Sequence, residues 1–306
     1  MASWHQWLLS HEITLRLAGF AVMLVFIGLW ETVFPRRPWQ SPRAIRWLNH
    51  LALAMLNNAL IRLLFPAAAV GVAVFGESRR WGLLHLGSLP LGWQVVIAVI
   101  ALDLVIYLQH VMFHALPLLW RLHRVHHADR DFDVTTGIRF HPLEILVSLG
   151  VKVAAILLIG VPVAGVIVFE VLLNATAMFN HGNVYLPPGL DRMLRWLIVT
   201  PDMHRVHHSV ADDEANCNFG FNLPWWDRLL GTYRPQPRKG HEAMTIGIHG
   251  MRQPGQVLWL PGLLLIPFIA PVAGYVINRR FRRFRRRRKS SKIPKFNQRK
   301  NNLRDS

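Results

Sequence analysis

Nine of the 16 histidines stand at spacings that would let them act together on one ligand. They are His110 and His114; His123, His126 and His127; His181; and His204, His207 and His208. Residues three and four positions apart on a helix lie on the same face, so each cluster can present its imidazoles to one region. Imidazole is a common metal ligand that suits iron, zinc, copper and nickel. The pattern therefore predicts a metal centre.

The size of the set indicates two ions, because nine neutral imidazoles exceed the four ligands of a structural zinc site. Cys217 is the single cysteine, which excludes an intrachain disulfide and a thiolate zinc or iron–sulfur site built from this chain. Spacing alone does not choose the metal. Most other histidines, including His50 and His241, are expected to be ordinary core or interfacial residues.

Four further polar residues are candidates for supporting the centre or contacting a substrate. Asp103 lies two helical turns before His110, and an ionisable residue at membrane depth is a functional candidate, bonded to an imidazole or to a neighbouring span. His141 either begins the helix that starts at Pro142 or contacts an imidazole or substrate. Asn174 and Asn180 could orient imidazoles or contact a headgroup. No acid or base is predicted beyond the metal ligands.

The elements that must position these residues are apolar segments. Hydrophobic residues make up 52% of the 306-residue chain, and about 20 of them in a helix cross a bilayer. The candidate spans are 15–34, 51–75, 91–113, 143–179 and 257–277. The fourth is interrupted at 160–162, which suits a helical hairpin, and prolines favour an in-plane or re-entrant course for the last. The expected fold is an all-α integral membrane protein with about four to five hydrophobic helices and a cytoplasmic helical cap carrying the histidine clusters.

Positive charge sets the expected orientation and the domain boundary. Four arginines follow the first span and four follow the third, which places these loops and the histidines on the cytoplasmic side. Residues 1–278 would form one membrane-embedded domain, with a motif core at 91–233. Residues 279–306 hold 14 Lys and Arg against one acid, and we expect a disordered tail that contacts anionic lipid headgroups. Nucleic acid is disfavoured as a partner, since nothing else suggests a groove reader.

The order of the histidine clusters resembles the fatty acid hydroxylase and sterol desaturase superfamily of membrane di-iron enzymes. The likeness covers about 91–233 and includes Leu-His-Arg-Val-His-His at 122–127, Asn-Phe-Gly at 218–220 and Trp-Asp-Arg-Leu-Leu-Gly-Thr at 226–232. Within it, Asp-Phe-Asp-Val-Thr-Thr at 131–136 and Arg-Phe-His-Pro at 139–142 look most like bacterial members similar to alkylglycerol monooxygenase.

The resemblance implies that the nine histidines bind two iron ions, with zinc an alternative after purification, and that O2 is the co-substrate. The reaction would be hydroxylation, desaturation or ether cleavage of a lipid. No fused cytochrome b5 domain is recognisable, so a separate ferredoxin, cytochrome or reductase would supply electrons. The implied location is a bacterial inner membrane.

A metal-binding membrane protein without redox chemistry is the main alternative, as a divalent-cation transporter or a zinc hydrolase. A transporter should carry polar residues through the centres of its spans, whereas these ligands concentrate at one membrane face. That position, within reach of an acyl chain, favours the lipid oxygenase. An inactive scaffold is the third hypothesis, and the complete ligand set argues against it.

Overall fold

The computed structural model describes residues 4–66 and 68–269, and α-helices dominate this part of the chain. The long helices are α1 (Trp4–Val33), α2 (Arg43–Leu64), α3 (Ala68–Arg79), α4 (Leu91–Ala115), α5 (Pro117–His127), α6 (Pro142–Ile159) and α7 (Val163–Asn180). The short ones are α8 (Pro188–Leu194), α9 (Pro201–His207), α10 (Asp212–Ala215), α11 (Trp225–Leu229), α12 (Gly240–Ala243), α13 (Pro254–Val257) and α14 (Leu260–Leu265). Within the described ranges only isolated β-bridges occur, and no strand. The all-α prediction is confirmed.

Five helical segments are long and apolar enough to cross a membrane. They are Gln6–Val33, Arg43–His85, Leu91–Ala115, Pro142–Ile159 and Val163–Asn180. Large apolar side chains on their outer faces are exposed, for example Leu17 and Val22 on α1, as a lipid-facing surface requires. The chain is an integral membrane protein.

The helical hairpin is confirmed, with its break at the predicted residues. Helix α6 ends at Ile159 and α7 begins at Val163. Gly160 ends α6 in the left-handed conformation, with φ +76°, which glycine adopts at little cost. Gly82, with φ +102°, packs so closely that a Cβ there would lie 2.1 Å from the Gly160 nitrogen. The hairpin tip thus meets the turn after α3 backbone to backbone.

One predicted span differs from the structure, and another is described only in part. The span over 51–75 is interrupted, because α2 ends at Leu64 and α3 begins at Ala68, on either side of Pro66, which cannot donate a helical hydrogen bond. The described part of 257–277 forms short helical turns, and the in-plane or re-entrant course that its prolines favour stays a prediction. Arg124 of α5 holds these turns by donating to the carbonyl oxygens of Ile266 (2.5 Å) and Ile269 (2.7 Å). Residues 270–306, including the predicted tail, lie outside the described residues.

The loop between α5 and α6 is fixed by charged side chains from α1 and α2. The Glu31 carboxylate accepts hydrogen bonds from the backbone nitrogens of Val134 (2.6 Å) and Asn183 (2.9 Å). Arg46 forms ion pairs with Asp129 (2.7 Å) and Asp133 (2.5 Å), and all three side chains are buried. The first two helices therefore stabilise the helical cap that carries the histidine clusters.

Candidate metal centre

The structure brings all nine predicted histidines together in two adjacent buried groups. Helix α4 carries two of them in its last turns, α5 carries three, one follows α7, and α9 with the residue after it provides three. The first group is His110, His114, His123, His127 and His207, and the second is His126, His181, His204 and His208. Within each group the candidate ligand atoms lie within 4.8 Å of one another. The rings of His127 and His208 stack at 4.5 Å, which joins the two groups.

Backbone carbonyl groups fix the orientation of several imidazoles. Nδ1 of His110 donates to the Phe219 oxygen (2.8 Å), Nδ1 of His207 to the Cys217 oxygen (2.8 Å), and Nδ1 of His181 to the Ala177 oxygen (2.6 Å). A neutral imidazole that donates through Nδ1 leaves a lone pair on Nε2. Such outer contacts are the usual means of orienting metal-binding histidines.

The Nε2 atoms of neighbouring rings face one another. The separation is 3.0 Å between His110 and His123, and 3.1 Å for the pairs His114–His127, His126–His181 and His181–His204. Two nitrogens at right angles around an ion, with metal–nitrogen bonds of about 2.1 Å, would be roughly 3.0 Å apart. The spacing fits metal coordination.

Some buried nitrogens in these groups lack a hydrogen-bond partner. Nε2 of His207 and both ring nitrogens of His208 are in this position within the described part of the chain. An unsatisfied buried polar group costs about 1–3 kcal/mol, so such atoms require an explanation. A metal ion at each group would satisfy Nε2 of His207 and one ring nitrogen of His208.

Burial keeps the imidazoles uncharged. It lowers the pKa of His123 to about 3 and that of His181 to about 4. Burial, reinforced by neighbouring imidazoles, also lowers the pKa of the other cap histidines well below the usual value: His126, His127, His204, His207 and His208. Neutral rings at pH 7 are the form that binds a metal.

Glu144 contacts the centre, a role that the sequence did not reveal. Nδ1 of His123 donates to its carboxylate at 2.6 Å, which leaves Nε2 of His123 directed at His110. In the sequence, Glu144 is only an acid in the first turn of α6. No sequence pattern indicates this contact, because it joins residues that are 21 positions apart across an irregular loop.

Asp103 acts on a loop instead of an imidazole. Its carboxylate accepts hydrogen bonds from the nitrogens of Asn222 (3.2 Å) and Leu223 (3.2 Å) and from the Trp226 indole (2.8 Å). The same loop, residues 217–232, supplies the carbonyl groups that hold His110 and His207.

A second carboxylate fixes that loop from within. Asp227 accepts hydrogen bonds from the nitrogens of Phe219 and Gly220, both at 2.8 Å, and burial raises its pKa to about 6. A Cβ at Gly220 would lie 2.8 Å from the Asp227 carboxylate. This explains the glycine in the Asn-Phe-Gly motif.

The other three polar candidates have separate structural roles. Nδ1 of His141 accepts from the Leu143 nitrogen (3.1 Å), so this residue begins α6. Asn174 donates to the Glu170 oxygen of its own helix (2.9 Å). Asn180 donates to the Phe221 oxygen (3.0 Å), and the Phe221 ring lies 5.2 Å from that of His110. Of the three, Asn180 is the one bonded to a residue that packs against a proposed metal ligand.

Aromatic rings pack around the imidazoles, and we call Phe132, Phe140 and Phe219 the phenylalanine wall. Phe140 stacks on His126, with ring centroids 4.6 Å apart and planes 11° apart. Phe219 packs edge-on against His110 at 5.4 Å, and Phe132 lies 5.4 Å from His181. Sequence patterns did not single out these phenylalanines as a group. They surround the imidazoles with apolar surface, which lowers the local dielectric and restricts water.

Comparison with known proteins gives one family and a set of lipid-modifying relatives. The family model described as fatty acid hydroxylase matches residues 95–232. An ornithine lipid hydroxylase from Rhizobium tropici is 30% identical over 238 residues, which cover 74% of this chain and 69% of that protein. An alkylglycerol monooxygenase from Xenopus tropicalis is 28% identical over 207 residues, 63% of this chain and 43% of that protein.

A more distant relative is the cholesterol 25-hydroxylase of Homo sapiens, 26% identical over 145 residues, 46% of this chain and 51% of that protein. The chain thus spans about half, or less, of the length of these last two relatives. No solved structure matches it significantly.

Proposed function

Because the chain belongs to the fatty acid hydroxylase family, we propose that it is a membrane-bound dinuclear iron oxygenase that uses O2 to hydroxylate a C–H bond of a lipid. The observation that carries this proposal is the pair of adjacent, buried, neutral histidine groups. Two ions so close together suit O2 chemistry better than transport, because a transported ion must leave a site that here lies buried.

The nine histidines are the proposed iron ligands, five at one ion and four at the other. Iron bound there would supply O2 activation and C–H oxidation. The protein orients the imidazoles through Glu144 and the carbonyl oxygens of Phe219, Cys217 and Ala177. The phenylalanine wall excludes water from the reacting atoms.

The proposed substrate is a lipid that reaches the centre from the bilayer. Two ligands lie at one end of the membrane helix α4, so an aliphatic chain can approach without leaving the membrane. The relatives are named for ornithine lipid, alkylglycerol and cholesterol, which share extended apolar carbon and differ in their polar groups. Hydroxylation at such carbon is the reaction common to the first and third names.

Electrons come, in this proposal, from a separate ferredoxin, cytochrome or reductase. The basic segment 279–306 would contact anionic headgroups and could also attract an acidic donor. The cap would face the cytoplasm of a bacterial inner membrane.

The metal proposal is tested with His126→Ala and His207→Ala, one variant from each histidine group, and with the exposed His249→Ala as the matched control. Protein purified in detergent after expression with added iron should hold about two irons per chain, and each ligand variant should hold less. Elemental analysis measures this, and size-exclusion chromatography checks folding.

Activity is followed in the same cells by lipid mass spectrometry. The parent chain and His249→Ala should give a lipid that has gained one oxygen atom, and the two ligand variants should not. Iron content and product unchanged in both ligand variants would overturn the proposal. Bound zinc with a hydrolysed lipid product would favour the zinc hydrolase.

A further inference from the structure

A cleft of about 590 Å³ opens on the cap, where α8, α9 and α11 meet the segment after α1. None of the nine histidines lines it. Its charged residues are four arginines and two aspartates, Arg36, Arg192, Arg195, Arg228, Asp191 and Asp202. The balance of four positive and two negative charges leaves a net charge of +2.

The two aspartates already have partners. Asp191 accepts from the Thr200 hydroxyl (2.6 Å) and pairs with Arg195 (2.7 Å). Asp202 pairs with Arg36 (3.3 Å) and with Arg205. The surplus positive charge in the cleft therefore comes from Arg192 and Arg228.

Arg228 is held in place before any ligand binds. Its guanidinium group lies 4.1 Å from the ring centroids of both Trp196 and Tyr233. One terminal nitrogen donates to the Arg195 oxygen (3.0 Å), while the buried Nε has no hydrogen-bond partner within the described residues. A fixed guanidinium group with donors to spare suits phosphate or carboxylate oxygens.

His241 provides a second, independent sign of a ligand. Its side chain lines the cleft and is 4% exposed. Both ring nitrogens lack a hydrogen-bond partner in the described part of the chain, and the nearest acid, Asp202, lies 3.5 Å from Nε2. A buried imidazole without a partner is costly, and an oxygen-rich ligand in the cleft would satisfy it.

The rim of the cleft indicates where such a ligand comes from. Helix α8 exposes Leu190 and Met193, and Trp196 and Leu197, which follow the helix, are 60% and 59% exposed. Leu229 of α11 is 74% exposed. Short helices with arginines beside exposed leucine and tryptophan are typical of membrane interfaces.

Helix α11 lies against the membrane helix α4, because Trp226 of α11 is bonded to Asp103 of α4. We propose that the cleft binds the phosphate headgroup of an anionic membrane lipid. Arg192, Arg228 and His241 bind the phosphate oxygens, and the acyl chains lie along the apolar rim. This site is distinct from the metal centre and does not depend on the proposed reaction.

The test measures binding of dioctanoyl phosphatidylglycerol to the full chain in detergent by microscale thermophoresis, with dioctanoyl phosphatidylcholine and inorganic phosphate as comparison ligands. The variants are Arg192→Gln, which removes an exposed charge, and Arg228→Gln, which removes the stacked one. Arg79→Gln is the matched control, because this exposed arginine lies beside the Phe75 ring on another helix.

We expect saturable binding of phosphatidylglycerol, weakened about threefold by Arg192→Gln and about tenfold or more by Arg228→Gln, with Arg79→Gln unchanged. Phosphatidylcholine should bind much more weakly. Inorganic phosphate that binds as tightly as the lipid would assign the cleft to a soluble ligand and overturn the proposal. So would binding that all three variants change equally, or binding that does not depend on headgroup charge.

Discussion

Glu144 is the carboxylate that fixes the orientation of a proposed ligand. Its contact with Nδ1 of His123 sets the tautomer, so that the other nitrogen carries the lone pair. Outer partners of this kind typically contribute 10–100-fold to metal affinity or activity. The effect should therefore appear in the metal content as well as in turnover.

Glu144→Gln keeps the shape of the side chain but replaces its carboxyl group with an amide. We expect iron retention during dialysis against a chelator, and turnover of the lipid, to fall by about 10–100-fold. Glu242→Gln is the control, since the Glu242 side chain is 80% exposed and pairs with Arg36 at the surface. Equal iron retention and turnover in the two variants would mean that Glu144 has no positioning role.

At this scale the sequence revealed the histidines and not their partners. The clusters repeat helical spacings that a reader can recognise, and the structure gathers all nine. Glu144, the carbonyl group of Phe219 and the Phe140 ring come from segments that meet only after the loops fold, and their residue types have no pattern of their own. Asp103 was selected for its depth, with a bond to an imidazole or to a neighbouring span left open, and its hydrogen bonds go to the loop 217–232.

Among the elements, the loop 217–232 links Asp103 of α4 to the imidazoles of His110 and His207. Asp103 accepts three hydrogen bonds from it, and Asp227 accepts two more from its backbone. The loop in turn orients His110 through the Phe219 oxygen. A change at Asp103 should therefore reach the centre through the backbone.

Asp103→Asn replaces one carboxylate oxygen with an amide NH2 group. This group can only donate, so it would face the donors of Asn222, Leu223 and Trp226 without an acceptor. We expect the free energy of unfolding to fall by about 1–3 kcal/mol, seen as a lower midpoint of thermal unfolding in detergent, with a loss of bound iron. Asp213→Asn is the control, because this side chain is 45% exposed and forms surface ion pairs, which contribute about 0–1 kcal/mol. A midpoint for Asp103→Asn no lower than that of the control would contradict this account.

The ends of the helices were predictable where glycine and proline residues close by in the sequence determine them. Gly160 and Pro162 interrupt an apolar run, and the hairpin turns there. The break near Pro66 was missed, since one proline within an apolar run does not always end a helix. The turns after Pro254 depend on Arg124 of a distant helix, which periodicity cannot reveal.

For the whole molecule, the orientation in the membrane is the feature that the sequence predicts and that labelling can test. The turn after α3 and the cap lie at opposite ends of the α6–α7 hairpin, because Gly82 contacts its tip and His181 follows its far end. Cys217 is buried, so we expect it to react little with a maleimide, and labelling then reports on cysteines added elsewhere. Ser88 and Lys239 are exposed at the two ends.

With the cap in the cytoplasm, Ser88→Cys should react with a membrane-impermeant maleimide in intact bacterial cells whose outer membrane has been permeabilised. Lys239→Cys should react only after lysis. Gel shift of the labelled protein measures both, and the unmodified chain reports any reaction at Cys217. The reverse pattern would place the histidines on the outer side and overturn the proposed orientation.

The backbone contact between Gly82 and Gly160 has a consequence for genetics. A side chain at either position must displace main-chain atoms, although the contact lies roughly 27 Å along α6 from the end where Glu144 meets His123. A survey of random mutations scored by lipid product would find these glycines nearly as intolerant as the histidines. A map of positions that tolerate no substitution would then show two separate clusters. Only the cluster at the histidines would mark the site of the reaction.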